Sequence, residues 1–238
     1  MPAPKTKVDL GAALSAAQAV RFLPNASGDF SNTVSPSPSA SWLSGIADLD
    51  GDGVADFIVG APGDDDKAVD AGRIFVHLGA ASPGTSTVVA DSLTTLIIDG
   101  VHGGDRAGAA VGSIADLNGD GRSEILVGAP GMENGAATDA GAAFVVWGQA
   151  APGGVDLADP ATGSADGFVM KGEAAGDEAG SAVASIADLN GDGKAEIVVG
   201  SPGNDAGGAD AGAAYVVWGK PSLSLVRLGN VAAGTGGF

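Results

Sequence analysis

Asp48-Leu49-Asp50-Gly51-Asp52-Gly53-Val54-Ala55-Asp56 is written twice more along the chain. The other copies are Asp116-Leu117-Asn118-Gly119-Asp120-Gly121-Arg122-Ser123-Glu124 and Asp188-Leu189-Asn190-Gly191-Asp192-Gly193-Lys194-Ala195-Glu196. Oxygen-bearing side chains stand at positions one, three, five and nine, and glycine at four and six. Alternate side chains of a tightly curled loop can all point to its centre. A hard cation such as Ca²⁺ takes six to eight oxygens at about 2.3–2.6 Å. The candidate side-chain ligands are Asp48, Asp50, Asp52 and Asp56, then Asp116, Asn118, Asp120 and Glu124, then Asp188, Asn190, Asp192 and Glu196. Glycine at position six permits a sharp turn, and the backbone carbonyls of Val54, Arg122 and Lys194 at position seven offer one more oxygen each. Without a cation the clustered carboxylates repel one another.

The first half of the motif reads like an EF-hand, but the rest does not. That motif needs a bidentate Glu at position twelve and a helix on each side. Position twelve here is Val59, Val127 or Val199. The following runs, Phe57-Ile58-Val59-Gly60, Ile125-Leu126-Val127-Gly128 and Ile197-Val198-Val199-Gly200, are short and rich in β-branched residues. They read as buried strands. Each loop thus joins two strands, and its ninth residue closes the cage as the second strand begins. Asp-Gly also marks simple hairpin turns. Recurrence of the whole set in three like settings favours metal, at about three Ca²⁺ per chain. The first loop has four carboxylates and the others three and an Asn, so the first is expected to bind most tightly.

The chain has 238 residues, 45% of them apolar, with 41 glycines and a net charge of −18. This is a foldable, turn-rich composition rather than a disordered acidic one. The loops hold ten of the 29 acidic residues, and three divalent ions would bring −18 to −12. The remaining negative surface argues against nucleic acid and anionic membranes as partners. There is no cysteine, so no disulfide staples the fold. No apolar run reaches the roughly 18 residues of a membrane helix, so no membrane insertion is expected. The stretch from Met1 to Val20 is a poor signal peptide, because its apolar part is weak and interrupted.

The repeat is longer than the loop. First positions lie 68 and 72 residues apart. After each loop comes a strand ending in Gly60-Ala61-Pro62-Gly63, Gly128-Ala129-Pro130-Gly131 or Gly200-Ser201-Pro202-Gly203. A Gly/Asp-rich loop then ends in Asp70-Ala71-Gly72, Asp139-Ala140-Gly141 or Asp210-Ala211-Gly212. Strands follow at Arg73–Leu78, Ala142–Trp147 and Ala213–Trp218, and again at Leu96–Asp99 and Phe168–Lys171. With the approach to each loop, that makes four short strands per unit and no helix. Such a period means stacked or radial sheets. The expected units are residues 1–80, with a Ser/Pro-rich insertion within Ser31–Ser44, then 81–149 and 150–219. Residues 220–238 read as the start of a fourth: Val226-Arg227-Leu228 and Gly237-Phe238 echo Val155-Asp156-Leu157 and Gly167-Phe168.

The joined motif, metal loop into Gly-Ala-Pro, resembles the FG-GAP repeats of integrin α-subunit β-propellers. The resemblance spans roughly Val8 to Gly219. Ala107-Gly108 and Ala179-Gly180 stand in place of the Phe-Gly half, with Phe30-Ser31 in the first unit. It implies an all-β fold of four-stranded antiparallel blades, with calcium between the first two strands of each. It also implies an extracellular or cell-surface setting. The family's propellers have seven blades, and natural propellers have about four to eight. Three repeats and a stub therefore form a partial or open propeller. It would be completed by the remaining blades of a longer chain or by other chains, and the stop at Phe238 favours the longer chain.

No catalytic constellation is visible: no Gly-x-Ser-x-Gly, no His-Glu-x-x-His, no phosphate loop and no thiol. His77 sits where Val146 and Val217 stand, as a tolerated strand residue, and His102 lies in a Gly-rich loop. Trp147 and Trp218 match Leu78, so packing against a neighbouring blade explains them better than sugar stacking. Trp42, beside the insertion, is the better binding candidate. The expected function is a calcium-binding, non-catalytic adhesion or protein-interaction module with a protein or glycan ligand. The alternative is a lectin-like propeller or an accessory domain of a larger secreted enzyme. Uncapped terminal blades would expose apolar faces, so self-association is expected of the isolated chain.

Overall fold

A computed structural model describes residues 43–45, 48–78, 95–149, 154–157, 166–220 and 225–238. The Ser/Pro-rich insertion, Trp42, Phe30-Ser31 and the stretch from Val8 to Leu10 lie outside the described residues, apart from the backbone of 43–45.

The described residues fold as β-strands and their connecting turns, with one short helix. The first sheet is built from β1 (Leu43–Gly45), β2 (Phe57–Ala61), β3 (Arg73–His77) and β4 (Thr95–Asp99), each antiparallel to the next. The second contains β5 (Ala110–Ile114), β6 (Glu124–Ala129), β7 (Ala142–Val146) and β9 (Gly167–Lys171). The third contains β10 (Ala182–Ile186), β11 (Glu196–Ser201) and β12 (Ala213–Val217). Each sheet is one blade, the repeated Asp/Gly loop lies between its first two strands, and among the described residues the sheets do not close into a barrel.

Period-two side-chain alternation assigns the middle blade to two cores at once. Ile125, Val127, Ala142, Phe144 and Val146 enter a core shared with Ile58, Ile74, Val76 and Ile98 of the first blade. Their neighbours Leu126, Ala143 and Val145 enter a second core with Ile197, Val199, Tyr215 and Val217 of the third. Every residue of β6 and β7 is consequently buried. By contrast β10, the inner strand of the third blade, has no fully buried residue.

Two further strands extend the expected four-stranded blades. β8 (Gly154–Asp156) runs parallel to β4 on the first sheet, and β13 (Leu225–Arg227) runs parallel to β9 on the second. A short helix, α1 (Leu228–Ala232), follows β13 and buries Leu228 and Val231. At the tail, Gly237 bridges Val217, and Phe238 and Val216 exchange backbone hydrogen bonds of 2.6 and 2.9 Å. The matching pairs in the second blade are Gly167 with Val146 and Phe168 with Val145. The echo between residues 226–238 and 155–168 is thus structural as well as sequential.

The glycines of the repeat carry the blade-to-blade contact. A β-carbon on Gly60 would stand 2.1 Å from the carbonyl oxygen of Gly108. This backbone contact needs no aromatic ring, which is why Ala107-Gly108 serves where the family has Phe-Gly. Ala107 and Ala179 are themselves fully buried and bridge to Gly72 and Gly141 of the blade before.

Candidate metal centres

Each loop is first organised by its own backbone. Asp48 accepts from the N–H groups of Gly51 and Asp52 through Oδ1, at 2.7 and 3.0 Å, and from Gly53 through Oδ2 at 2.7 Å. Asp116 and Asp188 repeat the arrangement, with distances of 2.6, 3.0 and 2.9 Å and 2.6, 3.1 and 2.8 Å. The glycines at position six turn with φ of +85°, +87° and +87° for Gly53, Gly121 and Gly193, a region that glycine enters without a steric penalty. Desolvation works against ionisation of Asp48, yet the N–H groups of Gly53, Gly51 and Asp52 together hold its carboxyl below the ordinary range.

Position nine anchors the loop from below. Asp56 Oδ2 accepts from Leu49 N at 2.6 Å, Glu124 Oε2 from Leu117 N at 2.7 Å and Glu196 Oε2 from Leu189 N at 2.6 Å. All three carboxylates are buried. Positions three and five each accept from the N–H two residues on: Asp50 and Asp52 at 3.1 and 2.8 Å, Asn118 and Asp120 at 2.9 and 2.9 Å, Asn190 and Asp192 at 2.8 and 2.9 Å. The donors from position seven are Val54, Arg122 and Lys194.

Carboxylate oxygens converge in all three loops. Asp116, Asp120 and Glu124 each bring one within 4.8 Å of the others, and so do Asp188, Asp192 and Glu196. In the first loop the converging set is Asp48, Asp50 and Asp52. Asp56 stands outside that set, its side chain being one methylene shorter than glutamate. Glu124 Oε1 and Glu196 Oε1 are buried with no hydrogen-bond partner. Burial pushes the Glu124 carboxyl up to about 7. The N–H of Leu117 opposes the rise, and Asp116 and Asp120 reinforce it. A buried, unpartnered carboxylate oxygen among other carboxylates is costly unless a cation compensates it. These donors are all oxygens, the set that suits a hard divalent cation rather than a soft one. The second and third loops therefore fit such an ion on this observation.

Sequence reasoning missed what the side chains at position seven do. Arg122 Nε donates to the carbonyl of Asp50, and Lys194 Nζ to that of Leu117, each at 3.2 Å. Each crosses to the loop of the preceding blade. The available signal was the recurrence of a cation at that position in two copies.

Of the other singled-out residues, His77, Trp147 and Trp218 pack against aromatic rings. His77 tilts against Phe57 with centroids 4.7 Å apart, and burial lowers its pKa despite nearby Asp56. His102 is exposed, 3.6 Å from Asp105. Trp147 packs on Phe168 at 5.7 Å and joins the core between the second and third blades. Trp218 meets Phe238 edge-on at 5.3 Å. Two polar clusters brace the blades. Arg73 binds Asp99 at 2.6 Å and also Asp66. Tyr215 donates to Glu173 at 2.5 Å and accepts from Asn204, which also reaches buried Asp177.

Repeated blades with a metal-type loop between their first two strands define a propeller-type repeat protein. Residues 40–77, 107–146 and 179–217 match the FG-GAP repeat family; the chain is an FG-GAP repeat protein that resembles integrin α. Phosphatidylinositol-glycan-specific phospholipase D of Homo sapiens is 30% identical over 81% of this chain and 22% of its own length. Integrin alpha-5 of Xenopus laevis is 30% identical over 66% of this chain and 14% of its own length. Integrin alpha-PS2 of Drosophila melanogaster is 38% identical over 35% of this chain and 6% of its own. The chain thus spans less than a quarter of these relatives. Among the described residues no helix is long and apolar enough to cross a membrane, which says nothing of β-barrels.

Proposed function

We propose that the chain is a calcium-stabilised, non-catalytic interaction module of a secreted or cell-surface protein. The observation that carries the metal reading is the pair of buried, unpartnered oxygens, Glu124 Oε1 and Glu196 Oε1, each in a convergent set of carboxylates. The cation would be held by Asp116, Asn118, Asp120, Glu124 and the carbonyl of Arg122, by Asp188, Asn190, Asp192, Glu196 and the carbonyl of Lys194, and in the first loop by Asp48, Asp50, Asp52, Asp56 and the carbonyl of Val54. The ion supplies charge compensation and rigidity. The residues bind and orient it, and each ligand side chain also accepts at least one loop N–H, which supports a structural role.

Calorimetric titration of chelated protein is expected to give about three Ca²⁺ per chain and a higher Tm on loading. Ligand bound only to the native state at a hundredfold excess over Kd adds about 2.7 kcal/mol per site. No calcium binding by the folded chain would refute the reading. The likeness to integrin α chains supports an adhesion or protein-binding role. The likeness to phospholipase D favours a second reading, an accessory repeat domain of a larger enzyme, with a protein or glycan as ligand in either case. A metal-dependent hydrolytic activity lost in Asp116→Ala would contradict the non-catalytic assignment.

A further inference from the structure

The residue at loop position seven faces two loops at once. Its N–H closes its own loop, through Asp120 for Arg122 and Asp192 for Lys194, both at 2.9 Å. Its side chain leaves for the blade before. Besides donating to Asp50, Arg122 lies over Gly51, whose added β-carbon would be 3.6 Å from Nε and 3.8 Å from Cγ. The next residue follows it, with Ser123 N–H donating to the carbonyl of Asp48 at 3.0 Å. Lys194 does the same one interface later, onto the carbonyl of Leu117. The acceptors are backbone oxygens of candidate ligand residues, or of the residue between two of them. The cations therefore do not compete with a metal for those residues' carboxylate oxygens. Leu49 and Leu117, at loop position two, are 2% and 0% exposed under the following blade, whereas Leu189 is 53% exposed.

We propose that Arg122 and Lys194 are positioning residues for the metal loop of the preceding blade, so that loading a loop and seating the next blade against it are one coupled equilibrium. The inference rests on the calcium reading above. Donors from the next blade fix the backbone at positions one and three of the first loop and at position two of the second, and a pre-ordered loop loses less entropy on binding. By linkage, a bound ion favours the seated blade by the same factor. Arg122 Nη1 also lies 3.4 Å from Asp120 Oδ2 of its own loop. If that contact mattered more, losing Arg122 would be felt in the second loop and not the first.

The test is a calcium titration of the whole chain labelled with ¹⁵N-glycine. The amides of Gly53, Gly121 and Gly193 each donate to the first aspartate of their own loop, so each reports one site. Arg122→Ala is expected to move the Gly53 midpoint about tenfold toward weaker binding, worth about 1.4 kcal/mol, and the Gly121 midpoint less than about twofold. Lys194→Ala is expected to shift Gly121 alone. Arg122→Lys is expected to recover most of the loss, since lysine does this work at the next interface. A shift at Gly121 instead of Gly53 in Arg122→Ala, or at neither, overturns the proposal. Should that variant not fold, Lys194→Ala decides the matter at the second loop. Three glycines unresponsive to calcium in the unmutated chain would overturn the calcium reading, and this inference with it.

Discussion

The carbonyl oxygen of Gly180 faces Gly128 across the interface of the second and third blades, so closely that a β-carbon on Gly128 would stand 1.9 Å from it. Both partners are backbone in packed strands or turns, so neither can yield cheaply. Gly200 holds the same place in the third blade, but its β-carbon would meet only Ala182, with its side chain 3.3 Å away. Gly128→Ala is expected to cost about 3 kcal/mol, and Gly200→Ala less than about 1 kcal/mol. Urea unfolding of the two variants checks the difference. Equal costs would mean that another surface covers Gly200 in solution.

A second contrast uses one residue type at one loop position. Leu117 is fully buried, and Leu189 is more than half exposed. Leu117→Ala is expected to lose about 2–5 kcal/mol, and Leu189→Ala no more than about 0.5 kcal/mol. Denaturant midpoints measured in saturating calcium separate packing from ion loss. A large loss in Leu189→Ala that grows with protein concentration would reveal self-association through that face.

Glu124→Gln is expected to change sign with calcium. In chelator at about pH 8, above the raised Glu124 value of about 7 where the carboxyl is ionised, the variant should melt higher than the parent, because it removes a buried charge that Asp116 and Asp120 oppose. In excess calcium it should melt lower, because a ligand charge is gone. Calorimetric scans in both conditions test this. A variant that melts lower in both would point to a structural carboxylate.

Arg73 gathers Asp99 and Asp66 and lies 3.9 Å from Asp64, with its side chain only 13% exposed. Arg73→Met keeps the apolar stem and leaves these carboxylates facing one another. A loss of about 2 kcal/mol is expected, the scale of a charge-assisted hydrogen bond. Sheltered pairs are screened less than exposed ones, so most of the loss should survive in 0.5 M salt. Complete rescue by salt would place the contact at the surface energetically.

The loops and inner strands were legible because their signals are local. Ile125-Leu126-Val127 carries its own β-preference, and Asp116 and Glu124 frame it at fixed spacing. β8 and β13 were not legible as strands. Three residues such as Leu225-Val226-Arg227 show too little alternation, and their partner lies more than fifty residues away. The repeat of Val155-Asp156-Leu157 was visible, but its place on the sheet was not. The reach of Arg122 was hidden for a different reason. Its target is a backbone oxygen, and every residue type supplies one. The same fact hid the tolerance for alanine at Ala107 and Ala179, since the contact beside each is made by the carbonyl of the following glycine.

β8 has a consequence for how the chain can be assembled. It follows the second blade's β7 in sequence yet hydrogen-bonds to the rim of the first blade, with Val155 opposite Ile98. β13 likewise follows the third blade and seals the second, with Val226 opposite Met170. The first two units therefore overlap their successors like roof tiles, each fastened by a strip from later in the chain. A ribosome delivering this chain would leave the first rim bare until most of the second blade had emerged. An unpaired rim is an invitation to wrong partners, so vectorial synthesis exposes each blade for about the time it takes to make the next. Genetic shuffling of single units would cut through these strips, whereas a pair of adjacent units would carry the strip of its first blade with it.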